Sequence, residues 1–163
     1  MLGIDPGTTG MGYAFLVAGP ERALLLECGV VDVRASSSAP ERLLAISKAL
    51  DELITRHRPF ALAVERLYFN KNVQTAMRVS EARGIALLCG ARAGLEIAEY
   101  TPQEVKISVT GNGRGDKKAV QRMLPVLVAL NAPITQDNVA DAIAIAVTHA
   151  NRARFAESVA AGR

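Results

Sequence analysis

The order of the predicted elements constrains the fold more than any other feature of this sequence. Three strand-like segments, residues 2–5, 10–17 and 22–33, come first and are separated by short turns that contain glycine and proline. Strands joined by such short turns pair in antiparallel fashion. The start of the chain therefore predicts a three-stranded meander.

After the meander, helical periodicity alternates with short apolar runs. Residues 37–56 and 73–93 carry apolar side chains at three- and four-residue steps, whereas residues 60–64 and 95–98 are short strand-like runs. Further helices are expected after Thr101, after the cap Asp116 and over residues 135–157, with Pro125 expected to kink or end the second of these. The order β-β-β-α-β-α-β-α-α-α predicts an α/β fold with a mixed, five-stranded sheet and helices on both faces.

Length and composition narrow the class of protein. A chain of 163 residues has the typical length of one domain, and we expect a single domain over 1–163 with a frayed tail from about residue 151. Nineteen Lys and Arg oppose sixteen Asp and Glu, a mildly basic balance that is compatible with a nucleic-acid partner. Neither a signal peptide nor a membrane-length apolar stretch is evident, and the two cysteines form no metal pattern. These features predict a cytoplasmic protein with reduced thiols.

Three carboxylates stand alone in apolar surroundings. Asp5 ends the first strand, Glu65 ends the fourth, and Asp141 lies in the most apolar part of the last helix. If the first and fourth strands are neighbours, Asp5 and Glu65 lie side by side. Clustered carboxylates repel unless a positive charge sits among them, and a hard cation with oxygen ligands is the usual solution. Asp137 and Asn138 precede Asp141 by four and three residues, which places them near the same helix face.

The segments around these acids form three motifs: Ile4-Asp5-Pro6-Gly7, Ala63-Val64-Glu65 with the aromatic loop that follows, and the run from Ala140 to His149. Together they resemble the RuvC family of Holliday-junction resolvases, and the resemblance extends over residues 1 to about 150. It implies a ribonuclease H-like fold. It also implies that Asp5, Glu65 and Asp141 are metal ligands.

One position departs from the pattern of the family. The family usually places an acid or a histidine three residues before the last aspartate, where this sequence has Asn138. We expect Asn138 to be a weak fourth catalytic ligand, with Asp137 as its substitute. With one negative charge fewer, Mn²⁺ is expected to support activity at least as well as Mg²⁺.

The resemblance implies a structure-specific endonuclease that resolves four-way DNA junctions in recombination and repair. Paired hydrolysis in opposing strands, with Mg²⁺ or Mn²⁺ and two ions per site during catalysis, would leave 5′-phosphate and 3′-hydroxyl ends. It further implies a homodimer and a branch-migration helicase complex as partners. The helix over residues 73–93 is the expected dimer interface, and Arg78 and Arg83 on it are expected to be surface or dimer residues.

Basic and aromatic residues near the acids are candidates for DNA contacts. Aromatic and basic side chains in the loop after Glu65 suit stacking on unpaired bases and contact with phosphates, although one of its two aromatics is expected to plug the core. A second group flanks the glycine-rich loop at 111–115 and suits phosphate contacts, and the family has functional lysines at two of these positions, Lys106 and Lys117. The eight candidates are Arg66, Tyr68, Phe69, Lys71, Lys106, Arg114, Lys117 and Lys118.

Three other functions compete with this interpretation. The segment 5–10 also resembles the first phosphate loop of sugar-kinase and actin-type ATPases, but those proteins need two lobes and a second phosphate loop. A non-catalytic junction-binding protein would explain Asn138. A ribonuclease H-fold nuclease acting on RNA–DNA hybrids or in rRNA processing is the third.

Overall fold

The computed structural model describes residues 1–6, 10–32, 37–66, 73–130 and 132–162, apart from the side chains of residues 73 and 74. Its strands are β1 Leu2–Asp5, β2 Met11–Val17, β3 Ala23–Val31, β4 Ala61–Glu65, β5 Glu96–Tyr100 and β6 Val128–Ala129. Its helices are α1 Ala39–His57, α2 Val73–Arg92, α3 Pro102–Thr110, α4 Lys117–Leu127 and α5 Asp137–Ala161.

The strands form one mixed sheet in the order β5-β4-β1-β2-β3-β6. β1, β2 and β3 pair in antiparallel fashion, which confirms the predicted meander. β4 lies parallel to β1 on one side and to β5 on the other. The carboxyl ends of β1 and β4 therefore meet at the same edge of the sheet.

Helices cover both faces of the sheet, as predicted. α3, α4 and α5 share one buried cluster with the strands, and α1 and α2 share the other. Alternation along β4 serves both clusters, since Ala61 and Ala63 face α5 whereas Leu62 and Val64 face α1 and α2. A strand buried on both faces explains why residues 61–64 form an unbroken apolar run.

The predicted count of five strands is wrong by one. β6 has only two residues, which pair with Ala23 and Leu24 at the far end of β3. Two residues are too few to show the alternation by which a strand is recognised in a sequence. Fully buried Val128 nevertheless fixes β6 against the core.

One helix end differs from the predictions, whereas α4 ends at Leu127, two residues after the Pro125 that was predicted to kink or end it. α5 continues as far as Ala161, although an irregular tail was expected from about residue 151. The helix starts agree better, because Thr101 caps α3 and Asp116 caps α4 by accepting hydrogen bonds from backbone N–H groups, as expected.

Both cysteines, Cys28 and Cys89, are free thiols. Within the described residues, no helix is long and apolar enough to span a bilayer.

Candidate active site

Asp5 and Glu65 lie side by side at the carboxyl edge of the sheet. In the parallel pairing of β1 with β4, Ile4 stands opposite Val64, so the next residues on the two strands are Asp5 and Glu65. Asp5 is buried, with 8% of its surface exposed. The neighbouring positions of the two acids, expected from the sequence only if these strands were adjacent, are confirmed.

Helix α5 reaches these acids because two glycines let it lie directly on the backbone of the sheet. A Cβ at Gly3 of β1 would lie 2.3 Å from the carbonyl oxygen of Ala142, and a Cβ at Gly12 of β2 would lie 2.0 Å from that of Asn138. Neither distance is possible between real atoms, so only glycine fits at either position. The close approach brings Asp141, one residue before Ala142, to the edge where β1 and β4 end.

The three carboxylates interact strongly. Burial, followed by the charges of Glu65 and Asp141, raises the pKa of Asp5 to about 7, although the charge of Lys117 opposes the shift. Burial and the charge of Asp141 likewise raise the pKa of Glu65, against the charges of Lys117 and Lys106. The fold therefore holds negative charges together at an energetic cost, which is common at functional sites.

Lys117, the first residue of α4, supplies a positive charge beside the acids. Its Nζ lies 3.1 Å from Asp141 Oδ2 and 3.4 Å from Asp137 Oδ2. Burial lowers the pKa of Lys117, but hydrogen bonds and attraction from Asp141 and Asp137 outweigh that effect and leave the pKa above its usual value. The ammonium group thus bridges two acids that lie one helical turn apart.

A small cavity opens beside this cluster. Its volume is about 240 Å³, and the charged side chains on its wall are Glu65, Asp141, Lys106 and Lys117. Two acids and two lysines thus share one concave surface, which suits a phosphate group held beside carboxylates.

The chemistry of these side chains fits a hard divalent cation. Carboxylate oxygens are the ligands that Mg²⁺ and Mn²⁺ prefer, and a bound cation would offset the burial and mutual repulsion that raise the pKa values of Asp5 and Glu65. Among the described residues, however, no three Asp, Glu, His or Cys side chains converge closely enough to hold one ion. Coordination therefore requires side-chain movement from this conformation.

The two candidates for a fourth ligand occupy different surroundings. Asn138 Nδ2 donates a hydrogen bond to the carbonyl oxygen of Gly10 at 2.8 Å. Asp137 is exposed, accepts a hydrogen bond from Gln121 Nε2 at 3.0 Å and shares Lys117 with Asp141. Both line a second, larger cavity of about 870 Å³ between the end of β3 and the start of α5.

The candidate DNA-binding residues fall into three groups. Tyr68, Phe69 and Lys71 lie outside the described residues. Lys106 and Lys117 lie on the cavity wall. Arg66, Arg114 and Lys118 are exposed, Arg66 directly after β4 and the other two around the start of α4.

Arg83, which was predicted to be a surface or dimer residue, lies near the site. Instead of pointing to the surface, its side chain is only 20% exposed, pairs with Glu99 and donates from Nε to the carbonyl oxygen of Glu65 at 3.2 Å. Spacing along α2 cannot show this contact, since it depends on how α2 packs on β4 and β5.

Comparisons with known proteins agree with the fold. A family model described as "Crossover junction endodeoxyribonuclease RuvC" matches residues 1–149. A relative of that description from Moorella thermoacetica is 47% identical over 167 residues, which cover 100% of this chain and 99% of the relative. Another from Alkaliphilus oremlandii is 42% identical over 157 residues, 96% of each protein.

Among solved structures, "T. thermophilus RuvC in complex with Holliday junction substrate" superposes with a TM-score of 0.89 at 35% identity, covering 95% of this chain and 94% of that chain. This match confirms the ribonuclease H-like fold expected from the resemblance. The chain belongs to the RuvC family of crossover junction endodeoxyribonucleases.

Proposed function

We propose that this chain resolves four-way DNA junctions by metal-dependent hydrolysis of two opposing strands, leaving 5′-phosphate and 3′-hydroxyl ends. Membership of the RuvC family supports the reaction class, and the structural relative bound to a Holliday junction supports the substrate. The observation within this chain that carries the proposal is the cluster of Asp5, Glu65 and Asp141, in which burial, followed by the charges of the neighbouring carboxylates, raises the pKa values of Asp5 and Glu65.

In this proposal, Asp5, Glu65 and Asp141 hold Mg²⁺ or Mn²⁺, two ions per site during catalysis. When bound, such ions supply an activated water as nucleophile and stabilise the leaving 3′ oxygen. Asn138 is retained as the fourth ligand with Asp137 as its substitute, and the shared contact with Lys117 favours the latter.

The lysines beside the acids are proposed to hold the DNA backbone. Lys106 and Lys117 line the cavity that contains Glu65 and Asp141, so a phosphate there would meet both charges. Lys117 would release Asp141 and turn to the phosphate when a cation takes its place. Arg114 and Lys118 would extend this basic surface, while Arg66, Tyr68, Phe69 and Lys71 would contact the strands near the junction centre.

A homodimer is proposed because a junction of near two-fold symmetry must be cut at two opposing points. The exposed side of α2 carries Met77 and Leu88, which are 59% and 51% exposed. Between them lies Gly84, where an added Cβ would meet nothing within 4 Å. An apolar helix face with a small residue at its centre suits close contact with a second copy of α2. A branch-migration helicase complex is the further partner proposed from the family.

The test is cleavage of a labelled four-way junction against linear duplex and RNA–DNA hybrid in Mn²⁺, Mg²⁺ or EDTA. Wild type is expected to nick opposing junction strands symmetrically with either metal, and Asp5→Asn is expected to bind the junction without cutting it. Cleavage of the hybrid in preference to the junction would instead indicate a different ribonuclease H-fold nuclease.

Tight junction binding without cutting in either metal would overturn the proposed activity and leave a junction-binding protein. The Asn138 amide, which is hydrogen-bonded to Gly10, would then be the first place to look for the loss. The ATPase alternative is set aside, since the family match over residues 1–149 includes Glu65 and Asp141.

A further inference from the structure

Arg83 connects α2 to the end of the strand that carries Glu65. Its Nε donates to the main-chain carbonyl oxygen of Glu65 at 3.2 Å, and its Nη2 is held by the carboxylate of Glu99 on β5. The arginine is mostly buried, with 20% of its side chain exposed. A partly buried guanidinium with two defined partners is a well-defined contact, because its planar fork orients both donors at once.

The pairing of the strands explains why the Glu65 carbonyl needs this donor. The N–H of Arg66 donates to Tyr100 on the β5 side at 2.7 Å. Because successive residues of a strand direct their backbone groups to opposite sides, the N–H and C=O of Glu65 face β1. Given the register of Ile4 with Val64, the donor to the Glu65 carbonyl would be the N–H of residue 6.

Residue 6 is Pro6, which has no N–H. The parallel ladder between β1 and β4 therefore lacks the hydrogen bond to the Glu65 carbonyl oxygen. A backbone carbonyl left without a donor at this depth is costly, so a replacement is needed. Arg83 is in place to provide it.

We propose that Arg83 is a positioning residue for junction cleavage. It replaces the N–H that Pro6 lacks, fixes the end of β4, and thereby sets the carboxylate of Glu65 against that of Asp5. This inference rests on the proposed function, because it assigns Arg83 a role in aligning the acids of the proposed metal site. Glu99 holds the guanidinium in the required orientation.

The principal variant is Arg83→Met, which keeps much of the apolar stem and removes every donor. Mn²⁺ affinity, measured by calorimetry without DNA, is expected to fall about 10- to 100-fold, the range for groups that orient a metal ligand. The kcat for junction cleavage is expected to fall by about 100-fold, while KM for the junction stays the same. Arg83→Lys, with one donor and no fork, is expected to recover part of each loss.

The matched control is Arg56→Met. Arg56 also pairs with a glutamate, Glu27, at 3.4 Å, but it is exposed and lies on α1 away from the acids. The Arg56→Met variant is expected to leave Mn²⁺ affinity and the kcat for junction cleavage unchanged. Glu99→Gln keeps Arg83 in place but loosens its orientation, and a smaller loss in the same direction is expected.

A compensating variant separates positioning from a general loss of stability. Pro6→Ala restores an N–H at residue 6, so Pro6→Ala with Arg83→Met is expected to bind Mn²⁺ more tightly than Arg83→Met alone. Hydrogen exchange of the metal-free protein provides an independent measurement. In Arg83→Met the amides of Glu65 and Arg66 are expected to exchange faster, while those of Leu2–Asp5 change little.

Wild-type Mn²⁺ affinity and wild-type exchange at Glu65 in folded Arg83→Met would overturn the proposal, as would a double variant no better than the single one. If wild type itself neither bound Mn²⁺ nor cut junctions, the proposed function would fail. The exchange measurement involves neither metal nor DNA, and it would still decide whether Arg83 holds β4.

Discussion

Helices on the two faces of the sheet lie at different distances from its backbone. On one face α5 lies against the backbone at Gly3 and Gly12 and presents mainly alanines, such as Ala142 and Ala146. On the other face α1 and α2 are held away by large side chains, among them Phe15 and Leu50. The face where α5 lies close against the sheet, with small alanine side chains, is the face on which the acids lie.

The different packing on the two faces separates two requirements of the fold, stability and the exact position of the acids. Large interlocking side chains bury more apolar surface and supply stability, which degrades gradually as atoms are removed. Contact of helix with backbone leaves almost no freedom in the position of the helix, so it fixes Asp141 against Asp5 and Glu65. The predictions below test whether position and stability are divided between the two faces in this way.

The largest effect is expected from Gly12→Ala. The new methyl would overlap the backbone of Asn138, so the start of α5 must move away from β2. Junction cleavage is expected to fall about 100-fold or more from the displacement of Asp141. Unfolding free energy is expected to fall by about 3 kcal/mol. Rates would be measured below the melting temperature, and wild-type cleavage by this variant would contradict the proposed division.

Leu50→Ala is the matched variant on the opposite face. Leu50 is 1% exposed, so its truncation leaves a cavity and is expected to cost roughly 2–5 kcal/mol in denaturant unfolding. In contrast to Gly12→Ala, kcat for the junction is expected to stay within about twofold of wild type wherever the variant is folded. A parallel loss of kcat would show that both faces set the position of the acids.

Asp5→Asn is expected to stabilise the metal-free protein at pH 8. The pKa of Asp5 is raised to about 7 in the folded chain from its ordinary value of 3.8, so the folded state binds more protons than the unfolded state between those two pH values. Stability from this group is fully present below about pH 4 and is lost as the pH rises through about 7. The neutral asparagine avoids that loss, for a gain of ~2–4 kcal/mol at pH 8 that disappears near pH 4.

Thermal unfolding of both proteins across pH 4–8 would measure the gain. Asp51→Asn is the control, because Asp51 lies on α1 and is half exposed beside Arg92. It is expected to change stability by less than about 0.5 kcal/mol at either pH. A gain for Asp5→Asn that does not vary with pH would mean that the burial of Asp5, rather than its charge, is responsible.

The smallest effect is expected from Asn138→Asp, which adds a carboxylate at the start of α5. The extra charge is expected to raise cleavage in Mg²⁺ relative to Mn²⁺, by less than about tenfold. The variant also removes the amide that donates to Gly10. Wild type is expected to be at least as active in Mn²⁺ as in Mg²⁺. Higher turnover of wild type in Mg²⁺ at every metal concentration would contradict the role assigned to Asn138.

Local signals in the sequence predicted most of the fold. Alternation and turn residues indicated the meander, and Thr101 and Asp116 marked helix starts that the structure confirms. The adjacency of Asp5 and Glu65 followed once the first and fourth strands were taken as neighbours. The meander and the helix caps depend on few residues close together in the chain, which is why a single sequence shows them, whereas the adjacency of the two acids rested on an assumed pairing of two distant strands.

Features that depend on packing between distant segments were not predictable. β6 is too short for a periodic signal, and the direction of Arg83 depends on the position of α2 over β4 and β5. The bridging of Asp137 and Asp141 by Lys117 depends on where α4 meets α5. For Arg83 and Lys117, the charge of the residue was visible in the sequence, but its partner was not.

The short pairing of β6 has a consequence for self-association. Because β6 covers only Ala23 and Leu24, the outer edge of β3 has no strand neighbour from Leu25 onward among the described residues. Exposed strand edges can recruit strands from other molecules and start aggregation. Glu27 on β3 is paired with Arg56 and His57, and Glu99 on β5 is paired with Arg83. Glu96, by contrast, is exposed at the start of β5. A charged side chain on an edge strand disfavours pairing with a further strand, so Glu96 opposes the addition of another copy at the β5 edge.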